Sequence, residues 1–141
     1  MKGTNGPVVA GCPFCQLPGE RIIGENDMAV AIRDGYPVTP LHTLIIPRRH
    51  VSSYFDLTGE EAAGCQRLLV RMRREILSRD EQIAGFNVGI NIGAAAGQTI
   101  MHCHIHLIPR RTGDVAHARG GVRHVIPGRG CYPAEAGPGA Y

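Results

Sequence analysis

The chain has 141 residues, of which 43% are hydrophobic and 19% are charged, and its formal net charge at pH 7 is +3. This length and composition are typical of one globular domain with its own core. The arginines are scattered without interleaved aromatic side chains and no apolar run approaches membrane length, so we expect neither a nucleic-acid platform nor a membrane segment. The five cysteines are an odd number, which argues against a complete disulfide framework. Because no signal peptide precedes them, we expect a cytoplasmic, reducing location.

The first fifty residues predict a loose start, a cysteine pair and two strands. Residues 1–11 contain Gly, Pro and Asn and are expected to be flexible. Cys12 and Cys15 then form a Cys-x-x-Cys motif, which by itself fits a redox pair, a zinc site or coincidence. The apolar runs 28–32 and 42–46 are typical of strands, the second stopped by Pro47, and the segment between them predicts a loop.

The clearest predicted element is a helix that begins after Thr58. Thr58 and Glu61 fit a capping box, in which the threonine caps the helix and the glutamate lies at its third position. Apolar side chains then recur at helical spacing, with arginines mostly on the other side. The predicted buried stripe consists of Cys65, Leu68, Leu69, Met72 and Ile76.

Two alternating segments follow, and we predict that they form a hairpin. Residues 86–92 and 100–108 alternate between apolar and polar or glycine positions, and a small-residue loop at 93–97 joins them. Strands with one long helix indicate an α+β domain. We place the domain at residues 12–127, between the flexible start and a Gly/Pro-rich tail at 128–141.

The second of these strands carries His102, His104 and His106 at alternate positions. Strand periodicity places all three imidazoles on one face and apolar side chains on the other. Three interpretations follow: a polar exposed face, a transition-metal site, or an imidazole nucleophile acting at phosphorus.

Potential hydrogen-bond donors surround the histidine row. Gly97, Gln98 and Thr99 directly precede the strand, and Asn91 lies across the loop. Glycine permits close approach of a ligand, and amides and hydroxyls donate hydrogen bonds to phosphate oxygens. Each residue alone is more typical of turn chemistry, but together they place donors around the imidazoles.

Residues 97–108, with the three histidines at their centre, resemble the signature of the histidine triad superfamily. The Cys12–Cys15 motif, Asp34 eight residues before His42, the segment 44–47 and the helix occur in the family's order, so the resemblance covers residues 12–111. It implies a single-domain fold with an antiparallel sheet of about five strands, one long helix and one short helix. It also implies a homodimer.

The resemblance assigns roles by position. His104 would be the nucleophile that attacks the α-phosphorus of a purine nucleotide, and His106 and His42 would surround the same phosphate. The remaining roles concern substrate binding: Asp34 would accept the ribose hydroxyls, and the phosphate would contact Asn91, Gly97, Gln98 and Thr99.

A structural zinc site is implied by related triad branches and by galactose-1-phosphate uridylyltransferases. In these, two histidines complete the cysteine pair, and they match His50 and His102 here. A Cys₂His₂ set is a closed site without an open catalytic position. The alternative is two free buried cysteines and a surface His50. No organic cofactor is expected.

The resemblance favours one substrate class but leaves alternatives open. The segment 109–114 looks like the branch that hydrolyses dinucleoside polyphosphates, and the segment 120–123 resembles extensions of bacterial members. An adenosine phosphoramidase, an adenylyl-sulfate-cleaving enzyme, and a nucleotide-binding interaction module with little turnover are the alternatives. A metal-dependent hydrolase using the histidine row as zinc ligands is a weaker one. His117 and His124 are expected at the surface, and Cys65 and Cys103 in the core.

Overall fold

A computed structural model describes residues 6–132, in which a five-stranded antiparallel sheet packs against one long helix. This confirms the α+β prediction. The strand order is β1-β2-β3-β5-β4. The elements are β1 (Ile22–Glu25), β2 (Ala29–Arg33), β3 (Thr43–Pro47), α1 (Gly59–Arg79), β4 (Ile83–Gly89) and β5 (Ile105–Arg111). The remaining helices within the described residues are short 3₁₀ turns at Gly19–Arg21, Tyr54–Asp56, Ala94–Ala96 and Gly121–Val125.

Helix α1 begins where the capping pattern predicts. The hydroxyl of Thr58 accepts a hydrogen bond from the backbone N–H of Glu61 at 3.1 Å. The Glu61 carboxylate does not return to the cap backbone, because it accepts from the Thr58 hydroxyl and from Arg49 Nε at 2.9 Å. The predicted stripe is buried except for Leu69, which is half-buried, and the arginines of the other face are exposed.

The sheet is buried on both faces at its centre. On one face, β2, β3 and β5 pack against α1 in a cluster that includes Ala31, Ile45 and Leu107. On the other face, Val30, Ile32, Leu44 and Ile46 are covered by the N-terminal segment through Phe14, Leu17 and Ile22. Burial on both faces explains why β2 and β3 are continuous apolar runs rather than alternating ones.

The histidine-bearing strand is shorter at its start than the sequence pattern predicts. We expected residues 100–108, whereas β5 spans Ile105–Arg111, so His102 and His104 precede the strand. The N–H of Cys103 donates to the carbonyl of Val51 at 2.6 Å, outside the sheet ladder. The partner strand shifts as well, since β4 spans Ile83–Gly89 instead of 86–92. Alternation alone could not predict these limits because the irregular segment 102–104 keeps an alternating composition.

The chain after β5 folds back over the sheet. The short helix Gly121–Val125 lies close to β4, and a Cβ on Gly121 would lie 3.3 Å from Asn87 Nδ2. The predicted limits of the domain and of the two ends stay predictions, because residues 1–5 and 133–141 lie outside the described residues. In the part of the chain that the structure describes, no helix is both long and apolar enough to span a membrane.

Candidate active site

A cavity of about 320 Å³ lies on the sheet face opposite α1. His106 of β5 is directly opposite Leu44 of β3, which is in turn adjacent to Ile32 of β2, so apolar side chains and imidazole share this face. The N-terminal segment forms one wall through Pro13 and Phe14. The predicted site residues that line the cavity are Asp34, Asn91, Gly97, Thr99, His104 and His106.

The tautomer of His104 is set by the backbone. Its Nδ1 lies 2.8 Å from the carbonyl oxygen of His102, and a carbonyl can only accept. The proton of the neutral ring is therefore on Nδ1, and Nε2 carries a free lone pair. The ring is buried, with Phe14 packed edge-on at a centroid distance of 5.1 Å. A fixed imidazole with an unprotonated nitrogen is suited to act as a nucleophile.

His42 and His106 form an ordered pair of neutral imidazoles. The backbone N–H of Val38 donates to His42 Nδ1, so the His42 proton is on Nε2, which lies 2.9 Å from His106 Nδ1. His106 must then carry its own proton on Nε2. That atom is buried and has no hydrogen-bond partner among the described residues. The pair thus presents one unsatisfied N–H donor beside His104, whose ring centroid is 5.2 Å from that of His106.

The two pKa values agree with this neutral pair. Burial is the largest cause that lowers the pKa of His106 to about 4; His104 and His42 lower it further, and Asp34 opposes them. Burial also lowers the pKa of His42, against the opposing charge of Asp34. His42 does not line the cavity and is almost fully buried behind His106. Its contact with His106 Nδ1 fits a positioning residue, and its predicted place around the phosphate stays a prediction.

Asp34 makes a turn contact and also lines the cavity. Its Oδ1 accepts the backbone N–H of Tyr36 at 2.8 Å, which is the turn chemistry expected of Asp-Gly. Its Oδ2 lies 3.4 Å from His42 Nε2 and the residue lines the cavity. The carboxylate thus remains available to a ligand while it supports the buried imidazoles electrostatically.

Gln98 is hydrogen-bonded to the protein and does not line the cavity, and its role as a phosphate ligand stays a prediction. Its side chain is buried; Oε1 accepts from the N–H of Gly93, and Nε2 donates to the carbonyls of Ser52 and Ile100. An amide with this many protein partners has little capacity left for a ligand. Gln98 closes the loop that places Gly97 and Thr99 at the cavity.

The four predicted metal ligands lie close together. Their ligand atoms, contributed by Cys12, Cys15, His50 and His102, all lie within 4.8 Å of one another. The Sγ-to-Nδ1 distances are 3.5 Å for Cys12 with His102, 3.3 Å for Cys15 with His50 and 3.6 Å for Cys15 with His102. Zn–S and Zn–N bonds at tetrahedral angles would separate S and N by about 3.6 Å. The residues therefore fit a zinc ion.

The outer contact of His102 also suits a metal ligand. Its Nε2 lies 2.7 Å from the carbonyl oxygen of Pro47, so Nε2 carries the proton and the Nδ1 lone pair faces the cysteines. A ring N–H held by a carbonyl is the usual support of a metal-bound histidine. Burial is the largest cause that lowers the pKa of His102, which keeps the ring neutral and able to coordinate.

Phe14, Arg21 and Tyr36 are among the cavity residues that the sequence did not predict. Phe14 lies between the two cysteines, so its position in that motif was an available signal. Arg21 and Tyr36 also line the cavity, and Tyr36 is almost fully exposed at its mouth. Neither belongs to a pattern, because an isolated arginine or tyrosine in a connecting segment is indistinguishable from ordinary surface.

Comparison with known proteins agrees with this geometry. A family model described as HIT domain matches residues 18–113. The chain belongs to the HIT family. It is 36% identical to an uncharacterized HIT-like protein of Mycoplasma pneumoniae, over 70% of this chain and 71% of that protein. It is 32% identical to an AP-4-A phosphorylase of Mycobacterium tuberculosis, over 72% of this chain but only 55% of that protein.

A solved HIT structure is informative about the cysteine–histidine cluster. The chain is 37% identical to a Zn-bound histidine triad family protein of Mycobacterium smegmatis, with a TM-score of 0.66. The match covers 74% of this chain and 78% of that one. The Cys₂His₂ cluster of this HIT protein is compatible with zinc on its own geometry, and a zinc-bound relative is consistent with it.

The lowered pKa of His106 predicts that stability rises with pH. In the unfolded chain the ring titrates near 6.5 and in the folded protein near 4. Between these values the unfolded state binds more protons, so folding is weakened as pH falls through this window. We expect urea unfolding to show that His106→Gln removes about 2 kcal/mol of the stability difference between pH 7 and pH 5. The exposed His117→Gln should leave that difference unchanged; an unchanged slope in His106→Gln would contradict the neutral pair.

Proposed function

We propose that this protein cleaves the α-phosphate bond of a purine nucleotide through a covalent nucleotidyl intermediate on His104. One observation carries the proposal. His104, with an unprotonated Nε2, and His106, whose Nε2–H has no partner among the described residues, have ring centroids 5.2 Å apart and line a cavity that also contains Asp34. A nucleophile next to a donor without a protein partner is what displacement at phosphorus requires.

The proposed reaction has two steps. First, the His104 Nε2 lone pair forms a bond to the α-phosphorus, and the phosphorus–oxygen bond to the leaving group breaks. The leaving group departs with that electron pair as a phosphate anion, while the His102 carbonyl holds the Nδ1–H of the now cationic ring. Second, water attacks phosphorus, the phosphorus–nitrogen bond breaks, and a nucleoside monophosphate and a proton are released.

His106 stabilises charge rather than supplying a proton. A neutral imidazole is a weak acid, and a polyphosphate leaving group is stable as an anion, so a hydrogen bond from Nε2–H to the developing charge is sufficient. Because His42 holds His106 in the required tautomer, His42 acts as a positioning residue. Gly97, Thr99 and Asn91 would contact the phosphate from the opposite side of the cavity.

The nucleoside would bind along the N-terminal wall. Ile32, Leu44 and Phe14 form apolar surfaces that suit a purine ring, and the Asp34 carboxylate suits the two ribose hydroxyls. We favour a dinucleoside polyphosphate as substrate, which the AP-4-A phosphorylase among the relatives supports. We propose water as the acceptor of the adenylate. If inorganic phosphate attacked the same intermediate instead, the protein would be a phosphorylase.

We further propose that zinc is bound by Cys12, Cys15, His50 and His102 in a structural role. Zinc bound there would supply a rigid four-coordinate link between the N-terminal segment and the residues before β5. It would hold the His102 carbonyl that orients His104 and would leave His102 unable to act as an acid or base. A homodimer in the cytoplasm stays a prediction from the family resemblance.

A substrate panel with rapid quenching tests the proposed function. Incubated with diadenosine tetraphosphate, adenosine phosphoramidate or adenylyl sulfate, the protein should release AMP and, on fast acid-free quenching, show an added adenylate mass on the His104 peptide. Diadenosine tetraphosphate should have the highest kcat/KM. Adding inorganic phosphate should leave AMP as the product; formation of ADP would instead assign a phosphorylase. Binding of nucleotides without AMP release from any substrate would favour the interaction module.

A further inference from the structure

A second groove lies on the same sheet face as the cavity. It has a volume of about 600 Å³ and lies between β4, β5 and the chain after β5. His106 is paired with Gly89, and the next pair on that face is Ile108 with Asn87, about 7 Å further along. A Cβ added at Gly89 would meet nothing within 4 Å. The glycine therefore leaves open space beside His106, on the side toward the groove.

Several exposed valines line the groove. Val122 and Val125 lie three residues apart in the 3₁₀ helix Gly121–Val125, so their side chains share a side of it. They are 61% and 73% exposed, and Val38, which also lines the groove, is 68% exposed. Apolar side chains concentrated in a concave surface indicate a binding site. Val38 also contacts the histidine pair, since its backbone N–H donates to His42 Nδ1.

The charged side chains that line the groove are paired with each other. The arginines of the segment 112–132 are not among the residues that line it. Arg110 lines the groove and is fixed there by Asp114, with contacts of 2.8 and 2.7 Å, and by Asn87 Oδ1 at 2.7 Å. This pairing leaves no net charge at that wall, so the apolar surface of the groove suits a nucleobase rather than a phosphate chain.

We propose that this groove binds the second nucleoside of a dinucleoside polyphosphate whose first adenylate occupies the cavity. The inference rests on the proposed function and names the subsite that would recognise the leaving group. The HIT domain match ends at residue 113, so Val122 and Val125 come from a part of the chain that the family model does not cover. Leaving-group specificity would then be a property of this segment rather than of the shared domain.

Paired substrates test the groove. Diadenosine tetraphosphate and adenosine phosphoramidate share the adenylate and differ in the leaving group. We expect V122S/V125S to lower kcat/KM about tenfold for the dinucleotide and less than twofold for the phosphoramidate. Ile126→Ser is the matched control, because Ile126 is exposed in the same segment but does not line the groove; it should leave both substrates unchanged.

A binding measurement separates failure of the groove from failure of the chemistry. In a His104→Ala background, calorimetry should show diadenosine tetraphosphate binding about tenfold more tightly than ATP, and V122S/V125S should abolish the difference. If the wild-type protein shows no turnover while the His104→Ala background shows this binding pattern, the proposed function is overturned but the groove is kept. Equal losses for both substrates would overturn the groove, as would unchanged discrimination. Unchanged discrimination with a smaller sedimentation mass in V122S/V125S would assign the valines to a second copy of the chain instead.

Discussion

His104→Ala should lower kcat/KM for adenylate release at least about 10⁴-fold and abolish the adenylate adduct. The substitution removes the nucleophile itself, and the remaining donors can only stabilise charge around a water attack. His106→Gln should cost less, about 10²- to 10³-fold, because it removes one donor to the developing charge while His104 remains able to form the adduct. Stopped-flow release of AMP and intact-protein mass spectrometry measure the two effects separately.

Two controls make the His104 result specific. His104→Gln retains a side-chain donor for the His102 carbonyl, so its melting temperature and AMP affinity should stay close to those of the wild type while turnover is lost. His117→Ala changes an exposed histidine outside the cavity and should leave kcat/KM within twofold. Substantial turnover in His104→Ala, with a persistent adduct on another residue, would exclude the proposed mechanism.

The sequence predicted which side chains come together better than it predicted the contacts among them. Alternating histidines, the glycine-rich loop before them and the cysteine pair are local patterns, so they could be found without the fold. The tautomers could not be predicted, because they depend on the carbonyls of His102 and Pro47 and on the N–H of Val38. The Pro47 carbonyl meets His102 only through tertiary structure, and the two local contacts depend on a loop conformation that residue types alone do not specify.

The same reasoning applies to the contacts of Gln98 and His42. The Gln98 side chain has donors that suit a phosphate ligand. However, its Nε2 donates to the backbone carbonyl of Ser52, which is distant in sequence, and the side chain does not line the cavity. His42 is one residue before β3, and its side chain is covered by His106 from β5. Residue type predicts which chemistry is available, whereas burial against distant elements decides which side chain meets the ligand.

Cys12→Ser should reduce bound zinc from about one equivalent to less than about 0.2 and lower the melting temperature by roughly 10 °C. Zinc bound at the cluster would join Cys12 and Cys15 to His50 and His102, which lie in otherwise separate segments. Its loss should weaken the attachment of the N-terminal segment to the sheet, where Phe14 contacts both His102 and His104. Metal analysis by mass spectrometry and thermal unfolding give the two readouts.

The position of Phe14 extends this prediction to catalysis. Because its ring packs against His104 and the His102 carbonyl fixes the His104 tautomer, zinc loss should lower kcat more than it raises KM for the nucleotide. Cys131→Ser is the matched control, since Cys131 is exposed and remote from the cluster; it should keep full zinc content, melting temperature and activity. Purified protein with less than half an equivalent of zinc and a Cys12→Ser variant of unchanged stability would together reject the structural zinc site. In that case the four residues would form a hydrogen-bonded cluster, with the Cys15 thiol close to both His50 and His102.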